Sequence, residues 1–244
     1  GCEALAIPHN PNLSNGRSFE IPWRDAPPDE QRRLAALRAE MEPLVEMMQI
    51  KGESECRTGL PGVAGGPDEL CTFEKIRSLA APEDCAPGET GSGAMRGNGC
   101  LSRLDYARYA LIEGLREADR IGVNPYRLGI TASTDAHDAN PGDVEERSFD
   151  GWAGTSDSSA RQRLAGATRN DRFVLFSNPG GLVGVWAEQN TRESLFDAMQ
   201  RRETFGTSGT RIAPRFFGGW DFPDDLCGRS DFVSRGYATG VPMG

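Results

Sequence analysis

The chain holds two histidines, and each follows an apolar run and enters a polar loop. His9 comes after Glu3-Ala4-Leu5-Ala6-Ile7-Pro8, and His137 closes Thr134-Asp135-Ala136-His137. A core histidine would more often sit inside the run. Asp and His donors together suit Zn, Mn or Fe better than Ca or Mg. Asp135 and His137 are two residues apart, so they reach one ion only where the chain turns. A solvated turn would carry the same pair, and spacing alone favours that plainer reading. Asp138, Asn140 and Asp143 follow as outer acceptors for such a site, whereas Glu145 and Glu146 read as a solvated acidic stretch.

Further groups stand near strand ends. Lys51, Glu53 and Glu55 follow the run Pro43–Ile50: a lysine there can hold an anionic substrate group, and a carboxylate can serve as acid or base. An ordinary charged strand exit explains them equally well. Glu46 lies inside the apolar run, where a buried carboxylate needs a partner. The small-residue segment Thr204-Phe205-Gly206-Thr207-Ser208-Gly209-Thr210-Arg211 can present backbone N–H groups to an oxyanion, with Arg211 beside them. A plain turn is the even alternative. The chain has neither a G-K-[ST] phosphate loop nor a G-x-S-x-G elbow.

The elements that must position these residues alternate. Residues 3–8 and 43–50 read as strands, with a helix over 28–42 whose stripe is Leu34, Leu37 and Met41. Residues 102–121 form the clearest helix, with Ser102 as N-cap, Asp105 close to a capping box, and Gly122 as the stop. Its apolar face reads as Leu104, Ala107, Leu111, Leu115, Ala118 and Ile121. Strands follow at 126–133, 172–177 and 181–187. Asn178-Pro179-Gly180-Gly181 reads as a turn. Thr191 caps a helix to about Arg202, and 204–217 gives a last loop and strand. This order favours an α/β layer architecture with mainly parallel strands. Ligands then collect at the C-terminal ends of strands, where His9, Lys51–Glu55 and Asp135–His137 all fall.

Composition bounds the rest. The 244 residues carry a net charge of -9 and pI about 4.9, with mean hydropathy -0.51. No basic block offers a phosphate-backbone footprint, so nucleic acid is disfavoured. No stretch is apolar for the roughly 18 to 20 residues of a membrane span. With 30 Gly and 16 Pro, loops are long and well punctuated. Residues 52–100 form a loop-rich insertion without period, holding Cys56, Cys71, Cys85 and Cys100; Cys2 and Cys227 complete six. Without a C-x-x-C pair or a nearby His, a structural zinc site is disfavoured, and disulfides in an oxidising compartment are expected. Buried free thiols are the alternative. Six cysteines allow 15 pairings, and sequence does not choose among them. Both ends read as cut: the chain opens as if inside a domain and stops without a cap.

Four strings resemble the DUF3604 family: IPHNPNLSNG (7–16), VEMMQIKGESEC (45–56), ASTDAHDANPGDVEE (132–146) and NPGGLVGVWAEQNTRESLFDAMQRRETFGTSGTRI (178–212). That family is similar to the PHP (polymerase and histidinol phosphatase) metal-dependent hydrolases. The resemblance implies a single α/β domain over 1–244, a partial distorted (β/α) barrel of PHP type with the cysteine insertion at 52–100. It implies a divalent-metal site (Zn, Mn or Fe) that hydrolyses small anionic esters of phosphate, or of sulfate, through a metal-activated water. His9 looks like the family's late His, and Asp135 and His137 look like its terminal D-x-H. Lys51, Glu53 and Arg211 are catalytic candidates that the PHP pattern does not assign. PHP proteins open with an H-x-H pair, and this sequence has none. The expectation is therefore a C-terminal portion supplying only part of the metal site. Family members resemble exported proteins, which implies a periplasmic or secreted location. The competing expectation is a secreted, non-catalytic binding or structural module on the same scaffold.

Overall fold

The run after Pro43 is buried from its first residue and becomes strand β1, Leu44–Gln49. The computed structural model describes residues 3–57, 69–72, 74–76, 85, 100–137, 139, 142, 159–161 and 179–243. The chain doubles back into β2, Gly52–Glu53, antiparallel to β1 with Met48 opposite Glu53. On its other side β1 pairs in parallel with β3, Gly129–Ala132. Leu44 lies opposite Gly129 and Glu46 opposite Thr131, with a register shift between Glu46 and Met48. The Thr131 hydroxyl adds a bond to the Val45 carbonyl at 3.0 Å. A parallel pair needs a long crossover; here it carries the insertion and helix α2, Ala107–Ile121.

Helix α2 starts where backbone carbonyls receive it. Ala107 N–H donates to Ser54 O (2.8 Å) and Arg108 N–H to Glu55 O (2.9 Å), which satisfies two donors that a helix start leaves open. Ser102 caps a preceding 3-10 turn, Arg103–Asp105, rather than the α-helix itself, whose N-cap position is Tyr106. Asp105 does not close a capping box. It accepts instead from Gly16 N–H (2.6 Å) and Ser14 Oγ (3.3 Å), tying the 14–16 loop to the helix entrance. Gly122 ends α2 with φ 79°, as a C′ glycine does.

The buried residues of α2 are Ala107, Tyr109, Ala110, Gly114, Glu117 and Ile121; of the expected face Ala107 and Ile121 are among them, and the leucines Leu111 and Leu115 are not. Leu111 and Leu115 are 42% and 66% exposed. Small residues win because the helix sits close: a Cβ at Gly114 would meet Tyr126 Cβ at 3.1 Å. Ala107 and Ala110 pack with Phe19, Val45 and Tyr126. Helix α1, Pro28–Met41, likewise buries Gln31 and Ala35 and leaves Leu37 and Met41 exposed. Ala35 joins Trp23 and Ile121.

Residues 3–8 form no strand. One bond links Ala6 N–H to Met41 O (2.7 Å) and another links Glu46 N–H to Pro8 O (3.2 Å). Pro8 has no N–H to continue a ladder, and Asn10 then turns left-handed at φ 48°.

Further along, β4 (Val183–Val185) and β5 (Thr204–Gly206) pair antiparallel around helix α3, Arg192–Gln200, capped by Thr191 as expected. Strand β5 lies against β3, with Thr204 Oγ1 donating to Ile130 O at 2.8 Å. Gly181 sews the two layers: its N–H donates to Ser133 O (2.8 Å), and an added Cβ would lie 1.8 Å from Thr207 O. Strands β6 (Phe217–Gly218) and β7 (Val241–Pro242) pair antiparallel, with helix α4, Phe232–Thr239, between them in sequence. Among the described residues the sheets are small and no closed barrel is formed. No described helix is long and apolar enough to cross a membrane. The expected strand at 172–177 lies outside the described residues.

Two disulfides, Cys56–Cys71 and Cys85–Cys100, tether the insertion, each closing a separation of 15 residues. Loops of that size stabilise by about 3 kcal/mol each in the chain-entropy picture. Cys227 is a free, exposed thiol, and Cys2 lies outside the described residues.

A buried carboxylate joins the helices to the loop at 17–27. Glu117 accepts from Arg120 Nη2 (2.6 Å) and Nε (3.0 Å), from Trp23 Nε1 (3.4 Å) and from Arg24 Nη2 (3.4 Å). Burial alone would raise its pKa, but Arg120, Arg24 and Trp23 together hold it below the ordinary glutamate value. A depressed pKa contributes stability that is present above the unfolded value of about 4.5 and lost as pH falls through the folded one. Glu117→Ala is expected to cost about 2 kcal/mol at pH 7. The deficit should shrink below pH 4, as measured by urea unfolding at both pH values.

Candidate active site

The bond from Glu46 N–H to Pro8 O brings the residue after Pro8 to the edge of the sheet, and β3 delivers Ser133 and Thr134 beside it. His9 Nδ1 lies 2.7 Å from Glu46 Oε2. The same oxygen accepts from Asn10 N–H at 3.1 Å, and Glu46 Oε1 accepts from the Ser133 hydroxyl. The other ring nitrogen, His9 Nε2, faces Asn10 Nδ2 at 2.7 Å. The Glu46 hydrogen bond is the largest influence on His9 and raises its pKa, aided by the charges of Glu46 and Asp135 and opposed by burial and Lys51.

Asp135 has φ 49°, so the chain does turn within Asp135-Ala136-His137. Aspartate and asparagine tolerate that left-handed conformation better than other residues with a Cβ. Ala136 N–H donates to Thr134 Oγ1 at 3.2 Å, which closes the turn. The turn brings His137 Nε2 to 3.2 Å from Asp135 Oδ1, while the Lys51 ammonium pairs with Asp135 Oδ2. Burial acts to raise the Asp135 pKa, but Lys51, His137 and His9 together hold it below the ordinary aspartate value.

Lys51, Asp135 and His137 therefore meet directly, and His9 joins them through charge. Glu53 is turned elsewhere: it is buried and pairs with Lys75. Glu55 pairs with Arg108. Arg211 is exposed on the segment that follows β5. Thr207 N–H is committed to Leu182 O (2.9 Å), and its hydroxyl accepts from Leu182 N–H (2.9 Å), so this part of the 204–211 loop serves the sheet rather than an oxyanion. A cavity of about 310 Å³ opens beside the ends of β1, β3 and β5, lined by Met47, Met48, Glu53, Ala132, Thr207 and Ser208. Asp138, Asn140, Asp143, Glu145 and Glu146 lie outside the described residues.

Three residues of the cluster carried little signal in the sequence. Glu46 showed itself only as a charge inside an apolar run. Ser133 and Asn10 had none. Asn12, buried, locks the 10–13 turn to the end of β1 by donating to Lys51 O (3.1 Å) and Glu53 O (3.2 Å).

The donor chemistry of the cluster suits a divalent ion. A carboxylate anchors Nδ1 of His9, the arrangement that outer-sphere carboxylates give metal-bound histidines, while Nε2 lies 2.7 Å from Asn10 Nδ2. Asp135 is held ionised beside His137. Among the described residues, however, no three His, Cys, Asp or Glu side chains already converge as one ion's ligand set. Lys51 takes the place of a cation against Asp135.

The left-handed turn at Asp135 separates charge from backbone. Asp135→Asn keeps a side chain that tolerates φ 49°, whereas Asp135→Ala adds a conformational cost of about 1 kcal/mol. Asp135→Ala is expected to unfold at lower denaturant than Asp135→Asn by that margin. Equal midpoints would show that the turn relaxes without cost.

No curated protein and no solved structure matches the chain. The protein family described as "Protein of unknown function (DUF3604)" matches residues 1–244. The chain, the His9 and Asp135–His137 loops included, belongs to the DUF3604 family.

Proposed function

We propose that this chain supplies part of a divalent-metal site that hydrolyses small anionic esters, phosphate foremost and sulfate as the second class. The observation that carries this is the meeting of Lys51, Asp135 and His137 at the C-terminal ends of two parallel strands, with His9 held on Glu46 of β1 and coupled to Asp135 through charge. Such strand ends are where ligands bind in α/β sheets. The PHP-like resemblance read from the sequence strings points the same way and would make the fold a partial distorted (β/α) barrel, with β1 and β3 as neighbouring staves. The disulfides fit an oxidising compartment, and we infer a periplasmic or secreted location.

His9, Asp135 and His137 would hold the ion. When bound, its chemistry is Lewis-acid polarisation of the ester and acidification of a water. The chain's own residues do the rest. Asp135 stays ionised at neutral pH and offers oxygen. Lys51 is the cation nearest that carboxylate. A divalent ion and an ammonium about 4 Å apart would repel by about 8 kcal/mol in a surface-like dielectric. An ion held by Asp135 would compete with Lys51 for that carboxylate, and a displaced Lys51 ammonium would be available to the ester's anionic oxygens.

One specific observation favours the competing reading, a non-catalytic module on the same scaffold: the Lys51–Asp135 pair already neutralises the carboxylate without any metal. Elemental analysis of the purified chain separates the two. Zn, Mn or Fe near one equivalent, lost in His9→Ala and in Asp135→Asn, is expected. Lys51→Met should retain the metal and bind it more tightly, yet hydrolyse aryl phosphate more slowly. Metal absent from the unaltered chain after incubation with Zn and Mn would favour the module.

A further inference from the structure

We propose that Glu46 is the positioning residue of this site: it holds His9 as the Nδ1–H tautomer, turns Nε2 outward, and sets the spacing between the His9 loop and the Asp135 loop. The role toward a metal rests on the functional reading above; the tautomer does not.

Three observations converge on it. First, Glu46 has no oxygen to spare. Oε2 faces His9 Nδ1 and the Asn10 N–H, and Oε1 takes the Ser133 hydroxyl. Its side chain is 9% exposed against 56% for the His9 ring. A carboxylate so enclosed orients its neighbours and does not itself touch a substrate. Second, the partners of His9 agree on one tautomer. A carboxylate on Nδ1 requires a proton there. The Asn10 amide on Nε2 donates to a lone pair there. The neutral ring therefore carries its proton on Nδ1 and keeps Nε2 as an acceptor, a lone pair that a ligand would take in place of the Asn10 amide. Third, the carboxylate spans two loops. His9 and Asn10 lie on one, and Ser133 lies two residues before Asp135 on the other. One side chain in the middle of β1 thus fixes both halves of the cluster.

A merely structural role explains the burial poorly. A carboxylate inside a strand costs desolvation that an apolar residue would avoid, and two of its three partners lie on the loop that carries His9. The Glu46–His9 bond also makes the ring a stronger base and a better donor to a cation.

The test uses the full chain labelled with ¹⁵N, and long-range imidazole correlation spectra recorded at pH 9, where the ring is neutral. With two histidines the spectrum holds two spin systems, and His137→Gln assigns them. His9 in the unaltered chain is expected to show a pyrrole-like Nδ1 and a pyridine-like Nε2. In Glu46→Ala it should revert to the Nε2–H form that free imidazoles prefer. Glu46→Gln keeps volume and an acceptor and should restore the Nδ1–H form. Zinc titration against a chromophoric chelator is expected to weaken by about 10- to 100-fold in Glu46→Ala and by less in Glu46→Gln. An Nε2–H ring in the unaltered chain overturns the proposal even if the alanine variant does not fold. So does a folded Glu46→Ala with unchanged tautomer, or with unchanged zinc affinity. If the unaltered chain binds no zinc but the tautomer switches, Glu46 positions His9 and the metal reading fails instead.

Discussion

The parallel pairing of β1 with β3 is the constraint on which the rest of this molecule depends. It places Glu46 opposite Thr131 and so puts the exits of both strands side by side. Everything chemically active hangs from those exits. Lys51 leaves β1, and Ser133 and Asp135 leave β3. His9 is held against the same edge by Glu46. The helix side of the pair is filled by small residues of α2, with Tyr126 and Phe19 packed edge to face. Two closely approaching backbones guard the other flank. Gly180, at φ 68°, would press a Cβ to 2.6 Å from Ser133 O, and Gly181 would meet Thr207. The turn read from Asn178-Pro179-Gly180-Gly181 is in part a brace: its two glycines let a neighbouring strand lie against the loop that carries Asp135.

Charge in the cluster is arranged in opposed pairs. Glu46 faces His9, and Asp135 faces Lys51 and His137. Neither carboxylate is left uncompensated, which keeps a half-buried acidic site stable in a chain whose net charge is already -9. The same arrangement makes the site selective about what joins it. A cation must displace Lys51 or share Asp135 with it, whereas an anion meets an ammonium that is already committed.

How far the sequence could be read depended on what each residue was asked to signal. Strand β1, helices α1, α2 and α3, the caps at Ser102 and Thr191, and the stop at Gly122 were legible because period and capping chemistry are local. The packed faces of α1 and α2 were legible only in part, at Leu34, Ala107 and Ile121. Large apolar residues mark a buried stripe only where helices stand apart, and here Ala107, Ala110 and Gly114 let backbones approach while Leu111 and Leu115 stay at the surface. The strand expected at 3–8 failed for a local reason that was visible, the missing N–H of Pro8. In the site, Asp135 and His137 were legible as a motif, and their convergence waited on a left-handed turn that spacing does not reveal. Ser133 carried no signal, because a hydroxyl gains its meaning here only from the carboxylate across the strand pair. Glu53 sat at a strand exit like Lys51 but faces Lys75, a difference set by the antiparallel turn of β2.

The tethered insertion also bears on how the pair of central strands finds itself. The contacts between β1 and the exit of β3 span 86 and 87 residues of chain, the kind of distant closure that slows folding. Both cross-links lie within that span, and each short-circuits 15 residues. Closure entropy grows only with the logarithm of loop length, so removing about 30 residues from the effective contour eases the encounter by only about 0.4 kcal/mol. The bridges therefore act on their own segment rather than on the sheet. Oxidation of that segment and assembly of the strand pair are close to independent events, and the chain can register β1 against β3 before, during or after its cysteines have closed.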